Sequence, residues 1–152
     1  MNITIIRSNR KTISMQINPD LSITVRAPKR ARQPALTEAE IKQLANKALE
    51  YIPARVAYFA PIVGVDYGRI TIRNQRTRWG SCSSKGNLNF NCLLILTPPE
   101  VIDYVVVHEL CHRREMNHST RFWNEVEKVL PDYKVAKKWL KENGAGVMQR
   151  ME

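Results

Sequence analysis

All three histidines of this 152-residue chain fall in one stretch, His108-Glu109-Leu110-Cys111-His112 followed by His118. No other feature constrains the fold as tightly. Four residues of α-helix make about one turn, so a helix here projects His108 and His112 from one face, about 6 Å apart along the axis. Val105-Val106-Val107 taken alone suggests a strand. The start signal Thr97-Pro98-Pro99-Glu100 decides for a helix, with Thr97 as cap, Pro98 at the first helical position and Glu100 completing the box. Length and capping predict a helix running to about Met116.

Two imidazoles at that spacing can share one metal ion, and Glu109 stands beside the first of them. This is the H-E-x-x-H pattern, with zinc as the usual ion and the glutamate as general base. On an unbroken helix His118 would lie about 9 Å beyond His112 and far round the cylinder, so the chain must turn back for His118 to become the third ligand. Asn117 in a left-handed conformation would end the helix, and Ser119 would cap a new one from Thr120. Three imidazoles leave a fourth position for water, the open geometry of a catalytic site. A closed structural site would need a fourth donor. Cys111 is the nearby candidate, and it reads instead as a small buried hydrophobe on the same helix. Glu125 reads as a solvated or outer carboxylate rather than a ligand. Imidazoles also accept Mn, Co and Ni, so zinc is the expectation and other divalent transition metals stay open.

The rest of the chain reads as α+β. Residues 2–7, 11–17 and the segment after Pro19-Asp20 are β-branched and alternating, which predicts a three-stranded antiparallel meander with turns at Ser8-Asn9-Arg10 and Pro19-Asp20. Residues 1–33 are expected to hold this meander and a basic linker, Pro28 to Pro34. Thr37-Glu38-Ala39-Glu40 is a capping box, and apolar residues recur at helical spacing from Ile41 to Ile52. Pro53 is expected to start a second helical segment or kink the first. Residues 69–73 read as a strand, and Ser83-Ser84-Lys85-Gly86 as the turn of a hairpin. A strand edge before the histidine helix could pair with an extended peptide by β-augmentation, or could simply cover the core. Arg76 and Arg78 are candidate contacts to a substrate carboxylate or phosphate, and Trp79 is a candidate substrate contact or a packing residue. Beyond His118 two amphipathic helices follow, separated at Pro131-Asp132, with the second ending at Asn143-Gly144. The expected organisation is a single domain over 1–152, with a catalytic body at 34–144 and a frayed tail at 145–152.

Charge and cysteines bound the setting. The net charge of +10 fits either a solvated basic surface or an anionic partner such as nucleic acid, phosphate or an acidic peptide. Three cysteines without a C-x-x-C pair argue against a disulfide framework and for a reducing cytoplasm. No apolar run of membrane-spanning length occurs, and the N-terminus lacks a signal-peptide pattern, so no membrane partner is expected. Oligomeric state has no signature in the sequence.

RTRWGSCSSKGNLNFN followed by VVVHELCHRREMNHSTRFW resembles the YgjP-like metal-dependent hydrolase family, akin to SprT-like and WLM-type zincin domains. The resemblance spans nearly the whole chain. It implies a zincin-like α+β fold, zinc on His108, His112 and His118, and Glu109 as catalyst, in a metallopeptidase class. The histidine spacing also equals the metzincin pattern H-E-x-x-H-x-x-G-x-x-H, but Glu115 stands where that pattern has glycine. Three function classes follow, in order. First is a zinc peptidase acting on a peptide or protein. Second is a phosphohydrolase acting on a nucleoside triphosphate or other phosphate, helped by Arg76, Arg78, Arg113 and Arg114. Third is a non-catalytic zinc-containing module that binds nucleic acid.

Overall fold

The computed structural model describes residues 3–8, 14–28, 35–75 and 77–151. The chain divides into two compact units, Met1–Pro34 and Ala35–Glu152.

In the first unit, β1 (Ile3–Ser8), β2 (Ser14–Ile17) and β3 (Ile23–Pro28) form one sheet in the order β1-β3-β2. β2 and β3 are antiparallel, while β1 runs parallel to β3. This corrects the expected antiparallel meander. Alternation tells which residues share a face but not the order or direction of strands. Ile3, Ile23 and Ile17 are in register, as are Ile5, Val25 and Met15, so one face is apolar with β1 running either way. The Asn18–Ser22 turn is as expected, closed by Asn18 N–H donating to the Ser22 carbonyl at 2.8 Å, with Leu21 at φ 68°. Asn9 and Arg10 of the other expected turn lie outside the described residues.

The second unit is built on α1 (Glu38–Val63), a helix of 26 residues. Its capping box forms as predicted: the Thr37 hydroxyl accepts from Glu40 N–H, and Glu40 accepts from Thr37 N–H. Pro53 neither starts a new helix nor ends this one. Leu44, Ala48, Ile52, Val56, Phe59 and Val63 form its buried stripe, a spacing of three to four residues. Gly64 ends it at φ 83°, a left-handed cap that favours glycine.

β4 (Ile70–Arg73), β5 (Gly80–Cys82) and β6 (Leu88–Asn91) make the second sheet in the order β4-β6-β5. β5 and β6 are the predicted hairpin, with Gly86 at φ 85° in its turn; β4 is parallel to β6. This leaves β5 at an edge. A 3-10 turn, Cys92–Leu96, leads into α2 (Pro99–Cys111).

α2 differs from expectation at both ends. The Thr97 hydroxyl donates to the Leu94 carbonyl at 2.7 Å, so it closes the preceding turn and does not cap α2; Pro98 holds the cap position. The helix stops at Cys111, well short of Met116, and Asn117 is not left-handed. Nine residues of α2 are buried, Val105, Val106 and Val107 among them. A helix covered on all sides loses its amphipathic signature, which explains the strand-like triple valine. Arg55 holds it to α1 through a two-pronged bond to Asp103, 2.8 and 3.0 Å.

α3 (Thr120–Val129) is capped by Ser119 as predicted, and α4 (Tyr133–Met148) follows. α4 passes straight through Asn143-Gly144. Gly144 lies inside it, where an added Cβ would meet the Trp79 indole at 3.4 Å, an ordinary packing distance, and it does not end the helix. Residues 145–148, expected to be frayed, are therefore helical, and the Arg150 carbonyl accepts from Leu36 N–H at 2.7 Å. The core joins α1, α2, α3 and the sheet through Ile52, Val56, Phe90, Leu94, Val106 and Phe122. Each such fully buried side chain contributes about 1.5–3 kcal/mol.

Candidate active site

α2 carries His108 in its last turn, and His112 is the residue that ends it. The end is tight: Arg113 N–H and Arg114 N–H each bond three residues back, to Leu110 and Cys111 carbonyls at 3.0 Å. Two side chains then fix the turn. The Arg113 guanidinium meets Asp66 at 2.8 Å and the Ser84 carbonyl at 3.2 Å. Arg114 donates to the Val63 carbonyl at 3.0 Å and the Gly64 carbonyl at 3.3 Å, taking up orphan acceptors at the end of α1. These arginines, read from sequence as anion contacts, are structural latches. Their partners lie about 30 to 50 residues away in the chain, so no local pattern signals them.

The turn brings His118 back. Ring centres are 5.0 Å apart for His108 and His112, 5.0 Å for His108 and His118, and 4.8 Å for His112 and His118. One nitrogen from each lies within 4.8 Å of the others, a set that could hold a metal ion. His112 is buried, His108 half-buried and His118 exposed. Beneath them sits Phe122, fully buried and 4.5 to 5.0 Å from all three rings. Its residue type and helical spacing signal only a core position.

Two of the ring nitrogens have partners. His112 Nδ1 lies 3.1 Å from the Glu115 carbonyl, and His108 Nδ1 lies 2.8 Å from Glu109 Oε1. A ring that donates from Nδ1 keeps the Nε2 lone pair free for an ion, and such an outer acceptor fixes both tautomer and orientation. The pKa of His118 is held below its ordinary 6.5, first by the partial desolvation of its otherwise exposed ring and then by the neighbouring His108 and His112, which favours the neutral form that ligates.

Glu109 is buried at 5% exposure, and β5 lies against it. A Cβ on Gly80 would stand 3.1 Å from Glu109 Cγ and 3.2 Å from both Val105 and the Asn89 carbonyl. Burial, then the nearby Glu109, pushes the Cys82 thiol up, so it stays protonated. Burial pushes Cys111 up to about 12, as befits a packing residue. A second group of rings flanks the histidines: Trp123 is 6.0 Å from His118 and stacks on Tyr133 at 5.3 Å.

The remaining candidates are placed differently. Trp79 is half-buried against the core and α4, and no ring contact joins it to a histidine among the described residues. Arg78 is exposed, and its carbonyl accepts from the Asn91 side chain at 2.9 Å. Arg76 lies outside the described residues. Glu125 is half-buried and bonds Lys128 at 3.2 Å, in keeping with an outer carboxylate.

A mixed α+β body with three clustered imidazoles at the end of its central helix has the architecture of a metallopeptidase domain. The comparisons make the assignment specific. The chain belongs to the YgjP-like family, whose metallopeptidase domain matches residues 32–143. Two solved structures share the fold. One is the metallopeptidase zymogen abylysin of Pyrococcus abyssi, with TM-score 0.54 and 24% identity over 60% of this chain and 93% of that one. The other is the metallopeptidase zymogen jannalysin of Methanocaldococcus jannaschii, with TM-score 0.53 and 19% identity over 60% and 95%. No curated protein sequence matches the chain. No helix among the described residues is long and apolar enough to cross a membrane.

Proposed function

We propose that this protein is a zinc-dependent peptidase in which His108, His112 and His118 hold the ion and Glu109 is the general base. The observation that carries the reading is the convergence of three imidazole nitrogens within 4.8 Å of one another beside a buried carboxylate. The donor set fits the ion: three imidazole nitrogens, with the Glu115 carbonyl beside His112 Nδ1 and His118 held toward its neutral form. When bound, zinc supplies Lewis acidity that polarises the scissile carbonyl and makes a water acidic near neutral pH.

The chain's own residues do the rest. Glu109 takes the proton of the attacking water and hands it to the departing amine. Its burial on β5 keeps competing water away and holds the carboxylate in one orientation. Among the described residues β5 is an edge strand, and it lies beside Glu109, which supports a substrate bound as an added strand. The phosphohydrolase reading draws on Arg76, Arg78, Arg113 and Arg114; Arg113 and Arg114 are already bonded to Asp66 and to main-chain carbonyls, which favours the peptide reading. The three free cysteines fit a reducing compartment such as the cytoplasm.

The deciding experiment pairs metal content with turnover. Untagged wild-type protein should carry one zinc per chain, and His112→Ala should lose it. Glu109→Gln should keep the zinc while peptide cleavage falls about 100-fold or more. Full activity in zinc-loaded Glu109→Gln would remove Glu109 as the base.

A further inference from the structure

Several cations on the turn after α2 and on α3 and α4 are engaged in ion pairs. Arg113 pairs with Asp66, Arg114 and Lys128 approach Glu125, and Lys138 reaches Glu142. Lys137 on α4 has an aromatic partner instead. Its ammonium stands 4.1 Å over the centre of the Trp123 ring. Among the described residues no carboxylate lies within ion-pair range of it. A cation over an aromatic face is held in place without being neutralised, so its charge stays available to an anion.

Trp123 brings that charge to the site. Its ring centre is 6.0 Å from His118 and 5.8 Å from His108. Tyr133 stacks on it at 17° and keeps the indole plane fixed. The separations bound the ammonium to about 10 Å from the His118 ring, about three residues of extended peptide. Lys134 and Lys141, both exposed, flank Lys137 at helical spacing and extend the positive field along α4. The net charge of +10 draws acidic chains toward it.

We infer that Lys137, seated on Trp123, is a carboxylate-recognising subsite, so that the preferred substrate carries a carboxylate within three residues of the cleaved bond. The carboxylate is either an acidic side chain or the free C-terminus. The inference rests on the peptidase reading and names its substrate class.

The test compares matched fluorogenic peptides on the zinc-loaded protein. One set carries Glu or Gln at successive positions; another ends in a free carboxylate or a carboxamide. The set that responds identifies the source. The carboxylate form should be favoured about fivefold in kcat/KM, and the preference should shrink as salt is raised. Lys137→Met should bring that ratio to about one, and Lys137→Arg should retain it. A second readout needs no turnover: anisotropy of labelled acidic and neutral peptides on zinc-loaded Glu109→Gln protein, with and without Lys137→Met. Lys137-dependent binding of the acidic peptide without cleavage by wild type would sink the peptidase reading and leave the subsite standing. Equal binding of acidic and neutral peptides, binding of neither, or a preference that survives Lys137→Met would overturn the subsite.

Discussion

At the scale of single residues, Gly80 packs against Glu109 and Phe122 lies against all three histidine rings. Gly80 lies so close to Glu109, Val105 and the Asn89 carbonyl that even a methyl group must displace something. Gly80→Ala should lower kcat about tenfold through a misplaced carboxylate, with zinc content unchanged by elemental analysis. Phe122→Ala removes the floor under three imidazoles. It should cost about 3–5 kcal/mol of stability in denaturant titration and loosen metal binding. His118 supplies a pH dependence. Its folded pKa lies below the ordinary 6.5, so the unfolded chain binds the proton more readily. The metal-free protein should therefore lose stability as pH falls through 6.5, and thermal melts across that window check the sign. The histidines and Glu109 stand out in the sequence because metal chemistry restricts residue type and spacing. Gly80 and Phe122 did not, because a glycine in W-G-S-C or a phenylalanine on a helix has several ordinary explanations.

Among the elements, those set by local chemistry were legible and those set by distant partners were not. The capping box of α1, the hairpin turn at Gly86 and the Ser119 cap of α3 each close over a few residues, and each formed where the sequence predicted. The end of α2 depends instead on Arg113 and Arg114 finding Asp66, Val63 and Gly64. Thr97 turned from α2 to the preceding turn because its hydroxyl found the Leu94 carbonyl. Asn143-Gly144 did not end α4, which runs on to Met148. Ser119→Ala tests the local device. Losing the cap should cost about 1 kcal/mol by thermal unfolding. Because Ser119 adjoins His118, it should also weaken zinc affinity in a competition titration, whereas the same cap removed from α1 by Thr37→Ala should not.

For the whole molecule, the candidate site lies in one of the two units. Every candidate site residue belongs to Ala35–Glu152. The large core cluster also lies entirely within it. Removing residues 1–34 should leave a cooperatively unfolding protein that binds one zinc per chain, measured by calorimetry and elemental analysis. The strand order of the first unit escaped the sequence reading for a general reason. Alternating residues fix faces, and the parallel pairing of β1 with β3 satisfies the same pattern as a meander.

The seating of three imidazoles on Phe122 carries a consequence for how the ion arrives. The rings converge on a buried side chain that belongs to the apolar core, which ties their arrangement to the folding of that core. On the proposed reading, the ion enters a receptacle built by the fold. Small zinc modules collapse when stripped, because their ligands have nothing else to gather them. Here a chelator should withdraw the metal and leave the circular-dichroism spectrum intact, and returning zinc should restore occupancy without a refolding phase.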